Sequence, residues 1–183
     1  VSLAAAVGAA AVAGCSLAGA MLEEADLADL VAPGVDLRQA DLRGARLAKA
    51  NLERANLESA EMDGVEASEA DLRFAVLTGA SAVSATFVSA NLFSAQLDRL
   101  RAISAKFANA VLAKASLVGA DLRSADLSET KCAGCNMSDA VASSANFDGA
   151  DLTGSKLEGL KATGASFERT TLTGAECDGA NFS

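Results

Sequence analysis

Histidine, tryptophan and tyrosine are absent from this 183-residue chain, and proline occurs once, at Pro33. Without histidine there can be no Ser-His-Asp or Cys-His nucleophile and no imidazole metal ligand. Without tryptophan or tyrosine, little suggests an aromatic ligand platform. Positive charge is also scarce: 15 Lys and Arg stand against 24 Asp and Glu, for a net charge of −9. That balance is the opposite of the basic footprint that nucleic-acid binding needs, so no direct nucleic-acid contact is expected. No G-x-x-x-x-G-K-S/T phosphate loop occurs. Cys132 and Cys135 form a C-x-x-C, but no second pair completes a zinc site. The chain is therefore expected to be no enzyme, and to hold no metal, cofactor or small-molecule substrate.

What is present is a five-residue ruler. From Leu17 to Phe182 every fifth residue is apolar, and three places after each, from Ala20 to Ala180, alanine predominates. Fourteen of the 15 glycines fall two places after the apolar centre, and serine is the other frequent residue there. On an α-helix, residues five apart differ by roughly 140°, so the leucines would spiral around it. On a straight strand an odd spacing sends successive leucines to opposite faces. One apolar side survives only if the chain turns a corner in every unit, and glycine accepts the φ > 0 that a tight turn demands. Cys132, Cys135 and Cys177 sit in the two inward phases, where each is expected to act as a small apolar core residue.

A second period closes the circuit. Ala82/Phe87, Ala102/Phe107, Ala142/Phe147 and Ala162/Phe167 place a large centre directly after a small one, at multiples of 20 residues. Such pairs conserve core volume if four walls make one 20-residue coil. The Asp or Asn before many centres (Asp41, Asn51, Asn56, Asp71, Asn91, Asp121, Asp126, Asn146, Asp151) is expected to bond backbone at the turn. Pro33-Gly34, beside Leu30 and Val35 where alanine is usual, suggests a slightly irregular loop.

The units beginning at Ala40, Ala50, Ala120 and Ala150 (ADLRG, ANLER, ADLRS and ADLTG) resemble the A(D/N)LXX unit of pentapeptide-repeat proteins. The resemblance covers at least residues 20–183. It implies an all-β fold, a right-handed quadrilateral β-helix, here of about eight coils in a rod roughly 40 Å long. Residues 23–183 are read as the repeat array. Residues 1–22 carry no charge and leave three readings open: a first coil, a capping helix, or a targeting or membrane-contact remnant around Val12-Ala13-Gly14-Cys15. The end at Phe182-Ser183 is expected to expose a strand edge that further chain or another protein covers.

Charge is unevenly placed. Glu58, Glu61, Asp63, Glu66, Glu69 and Asp71 form an acidic run, and residues 98–123 are mainly basic. Between them, residues 74–97 carry no charge. Phe74 and Phe93 are the phenylalanines outside the core phase. With Val83, Val88, Ile103 and Val118 they make the candidate protein-interaction set, an apolar belt. Val83 and Ile103, one coil apart in the chain, are expected to stack on one wall.

Three classes of function follow. The first is a structural or scaffold rod bound to protein partners through the belt or its uncapped ends. Its A(D/N)LXX style resembles members abundant in cyanobacteria and in thylakoid lumens, which implies a thylakoid, photosynthetic or membrane-complex setting, with a cytoplasmic one as the alternative. The second is an acidic DNA mimic that binds gyrase, as family members do. The gyrase-binding members pair through a C-terminal helix and the quinolone-protection branch carries loops between coils, neither of which is seen here. The third, ice binding, needs a long threonine ladder that Thr153 and Thr173 do not supply. The first is the reading adopted.

Overall fold

The computed structural model describes residues 16–183. Residues 1–15, which hold most of the segment with three open readings, lie outside them. The rest of that segment, Ser16 to Leu22, is already part of the array: Ser16 pairs with Asp36 and Met21 with Asp41.

The chain is a β-helix solenoid in which each residue before an apolar centre makes a parallel bridge to its counterpart on the next coil, from Ser16↔Asp36 to Lys161↔Asn181. The backbone bonds follow one rule. From Leu17 to Gly164 the N–H of each centre and of each corner residue donates to a carbonyl of the following coil, as in Leu57 to Val76 (2.7 Å) and Ser59 to Thr78 (3.1 Å). The bridging residue donates back, as in Val76 to Ala55 (2.9 Å). The alanine-phase N–H closes the turn on the preceding centre, as in Ala60 to Leu57 (3.0 Å).

Four walls result. We name wall A from the pentads at 36–40, 56–60 and 76–80, wall B from 41–45, 61–65 and 81–85, wall C from 46–50, 66–70 and 86–90, and wall D from 51–55, 71–75 and 91–95. Each wall is followed by its own corner.

Every corner from Gly19 to Gly179 has a positive φ, on 13 glycines and 20 other residues. Positive φ at the third turn residue alone is the type II pattern. Pro33-Gly34 is a regular example, with φ 69° at Gly34 and a closing Val35-to-Ala32 bond of 3.3 Å. The irregular loop expected there does not form, because proline suits the second position of a type II turn and glycine the third.

Centres and alanine-phase residues fill the interior as one continuous column. Phe87 stacks on Phe107 with ring centroids 5.1 Å apart, and Phe147 on Phe167 at 4.8 Å. The two fully buried hydroxyls that replace alanine donate to the carbonyl three residues back, Thr130 to Leu127 and Ser155 to Leu152, both 2.8 Å. The half-buried Thr170 donates to the Phe147 carbonyl of the preceding coil (2.8 Å). No buried side-chain polar atom among the described residues lacks a partner.

The cysteines need a correction. Cys132 and Cys135 are fully buried, as their phases require, but they are joined as a disulfide rather than packed as two thiols. The turn itself brings a centre and the alanine-phase residue three places on to a Cα separation of 5.3 Å, inside the range a disulfide spans. Cys177 is free.

Candidate interaction surfaces

The corners are held by carboxylates and amides at the bridging position. All nine expected Asp and Asn residues accept the N–H two residues on, for example Asp41 from Arg43 (3.2 Å), Asn91 from Phe93 (3.2 Å) and Asn146 from Asp148 (2.9 Å). Where arginine supplies that N–H, its guanidinium also grips the carboxylate. Arg38–Asp36 (2.8 Å), Arg43–Asp41 (2.5 Å), Arg73–Asp71 (2.6 Å) and Arg123–Asp121 (2.6 Å) repeat this clasp. In each, the side-chain bond from arginine holds the carboxyl below its ordinary range.

A second device, not read from the sequence, staples adjacent coils. Asp63 accepts from the Ser81 hydroxyl and from the Val83 N–H (2.9 Å). Asp98 does the same with Ser116 and Val118 (3.0 Å), and Asp148 with Ser166 and Glu168 (2.8 Å). Its signal is an Asp directly after a centre, a Ser at the bridging position of the next coil, and any N–H two places beyond that Ser. Arg101 adds a bond to Ser81 (3.1 Å) and an ion pair to Asp63 (3.4 Å).

The six belt residues do not form one patch. Register places Val118 at the corner of wall A, Val83 and Ile103 at that of wall B, Val88 at that of wall C, and Phe74 and Phe93 at that of wall D. A charge-free stretch longer than one coil winds round the rod instead of lying on one side of it. Val83 and Ile103 share a corner one coil apart, and the Ser84 N–H bonds the Ile103 carbonyl at 2.9 Å. Five of the six, Val83, Val88, Phe93, Ile103 and Val118, are half-buried, and Phe74 alone of the set is exposed.

Phe74 and Phe93 do meet, edge to face, with centroids 5.7 Å apart. Phe74 is 38% exposed. It also occupies a corner position at φ 59°, where the other corners carry Gly or polar residues. Two cations that the sequence reading missed bracket the pair. The Arg54 guanidinium lies over the Phe74 ring at 5.1 Å, and the Lys114 ammonium over Phe93 at 5.7 Å. Arg54, Phe74 and Lys114 share one position of the coil repeat at corner D, which was the available signal. The result is a column of cation, ring, ring and cation along one edge. Arg73 continues its polar flank by bridging Glu53 (3.2 Å) and Asp71 (2.6 Å).

A shallow, solvent-open depression lined by Ala18, Arg38, Gln39, Glu58 and Ser59 gathers ions and amides but no nucleophile–base pair. Among the described residues no group of His, Cys, Asp and Glu is arranged to hold a metal ion.

A solenoid of 20-residue coils stacked around one continuous apolar column is a repeat protein. The chain belongs to the pentapeptide-repeat family: the pentapeptide-repeat model matches residues 36–73, 90–128, 120–159 and 150–183, in eight copies. Among solved structures it is similar to a trypsin-treated variant of QnrB1, a plasmid-mediated fluoroquinolone resistance protein. That match has 16% identity and a TM-score of 0.82, covering 93% of this chain and 88% of the other. It is also matched to HetL, a pentapeptide repeat protein of the cyanobacterium Nostoc involved in heterocyst differentiation regulation. There the identity is 28% and the TM-score 0.42, over 97% of this chain and 93% of the other. A pentapeptide repeat protein of the Arabidopsis thaliana thylakoid lumen matches at 20% identity and a TM-score of 0.18, over 82% and 70%. The first likeness supports the fold; the TM-scores of the other two are too low to bear on it. Comparison with curated proteins gives no significant match.

Proposed function

We propose that this chain is a non-enzymatic interaction rod: a right-handed, four-walled β-helix of about eight coils that serves as a rigid subunit or scaffold in a larger protein assembly. The observation that carries the reading is Phe74. A left-handed backbone costs a non-glycine residue roughly 1–2 kcal/mol, and a side chain left 38% exposed recovers only part of its burial energy. Such a residue contributes little to the fold that glycine or serine would not. Aligned with Phe93 between Arg54, which also pairs with Glu53 (2.7 Å), and Lys114, it instead offers an apolar step flanked by two cationic side chains. A protein surface presenting an apolar group beside carboxylates fits that edge.

The test is co-purification from the source's membrane and soluble fractions. Phe74→Asp and Phe93→Asp are expected to lose the bound protein while circular dichroism stays unchanged. Retention of the partner by both variants removes corner D from the reading.

The acidic DNA mimic is kept as a second reading because residues 56–75 carry six acids against Arg73, on a fold similar to that of QnrB1. Inhibition of gyrase supercoiling at micromolar protein would move the assignment to it.

A further inference from the structure

We infer that wall C, with the corner after it, is an antiparallel two-fold interface between two copies of this chain, centred on the coil that holds Thr86, Val88 and Ser89. The inference is independent of the corner-D reading above, since it concerns another wall and another partner. It starts from the order of charges along the rod. When two rods pack antiparallel about a two-fold axis running across a wall, each column of side chains faces itself in reverse order. A residue one or two coils before the centre then meets the residue one or two coils after it.

On wall C this operation pairs opposites. In the bridging column, Arg46 meets Asp126 and Glu66 meets Lys106, with Thr86 facing its own copy. In the corner column, Lys49 meets Glu129 and Glu69 meets Asn109, with Ser89 facing itself. One coil further out, Asp26 meets Asn146 and Asp29 meets Gly149, so neither column sets like charges together. The same operation at the same height on wall B sets Glu61 against Arg101 but also Asp41 against Asp121 and Arg43 against Arg123. On wall A it sets Glu58 against Asp98. Wall D offers no opposite pair.

Two further features of wall C fit this use. Between the two charged columns stands a row of short side chains, Ala48, Ser68, Val88, Ala108 and Ser128, where the corresponding rows of the other walls include Arg, Asp, Glu or Phe. Short side chains let two sheets approach to the ~10 Å of face-to-face packing. And although Arg46 pairs with Asp26 (3.1 Å) and Glu66 (4.0 Å) in its own chain, Lys49, Glu69, Lys106 and Glu129 take part in none of the ion pairs among the described residues. Five coils at ~4.8 Å give a contact about 24 Å long. That buries on the order of 800 Å² in total, less than a permanent dimer needs. The association is therefore weak, and sensitive to salt because its charges lie near water.

Sedimentation equilibrium of the full chain tests this. A concentration-dependent dimer is expected at about 50 mM NaCl and a monomer at about 500 mM. Lys106→Glu alone and Glu66→Lys alone are each expected to remain monomeric at low salt, with unchanged circular dichroism. Mixed one to one, they are expected to dimerise again, because each then supplies the charge the other needs. A chain that stays monomeric at low salt overturns the inference, as does a dimer insensitive to both substitutions or a mixture that fails to associate.

Discussion

Asp36, Asp41, Asp71 and Asp121 each accept a turn N–H and the guanidinium of the arginine two residues on. The arginine bond depresses each carboxyl in the folded chain below the roughly 3.9 of an unfolded aspartate. Their contribution is therefore fully present above about pH 4 and is lost as pH falls through the lower folded values. Urea midpoints are expected to be flat from about pH 7 to 5 and to drop below about pH 4. Asp41→Asn with Asp71→Asn should flatten that acid limb, since asparagine keeps the turn acceptor, as Asn51 does at 3.1 Å, without titrating. The Cys132–Cys135 bridge closes a loop of about four residues, which the chain-entropy relation values at about 2 kcal/mol. Cys135→Ala installs the residue usual in that phase, so a loss of about 1–2 kcal/mol in non-reducing urea unfolding isolates the crosslink. Two cysteines that resist alkylation when the oxidised protein is unfolded without reductant, and react once reductant is added, confirm the pairing by mass.

The corner is the repeating element, and its backbone conformation holds whatever residue occupies it. Gly64 has φ 68° and nothing within 4 Å of where a Cβ would stand, so Gly64→Ala measures the left-handed cost without a clash. A loss of about 1–2 kcal/mol is expected. Phe74→Gly relieves that cost but gives up the ring's contacts with Phe93 and Arg54. A net change within about 1 kcal/mol is therefore expected, an outcome that distinguishes a residue kept for contact from one kept for folding. In the core, Phe87 is stacked on Phe107, and Phe87→Ala should cost about 3–5 kcal/mol by opening a cavity the stiff coil cannot close. These elements were largely legible in the sequence, because glycine, the apolar centre and the Asp or Asn before it each mark one turn position. The disulfide was not. Its signal was the same Leu-to-Ala spacing already used for packing, and the proximity of those two phases across a turn emerges only in three dimensions. The inter-coil staples were hidden because their partners stand on successive coils, far apart in the chain.

At the scale of the whole rod, neighbours in sequence are neighbours on different walls, while true lateral neighbours are a full coil apart in the chain. That is why residues 74–97 read as a belt but divide among four corners, with Phe74 and Phe93 alone giving an aromatic contact between them. It is also why Arg54 and Lys114, both outside that stretch, stand over the two rings. The rod's chemistry is therefore its surface order: an edge of rings and cations at corner D, and a self-complementary charge order on wall C. The proposed function puts a protein partner on corner D. Hydroxyl-radical footprinting of the purified rod, alone and with its co-purified partner, reads this directly through side-chain oxidation of phenylalanine. Protection of Phe74 and Phe93, with Val83 and Ile103 labelled equally in both states, is the result expected. Unchanged labelling of Phe74 and Phe93 in a saturated complex, with protection on another wall, would contradict it.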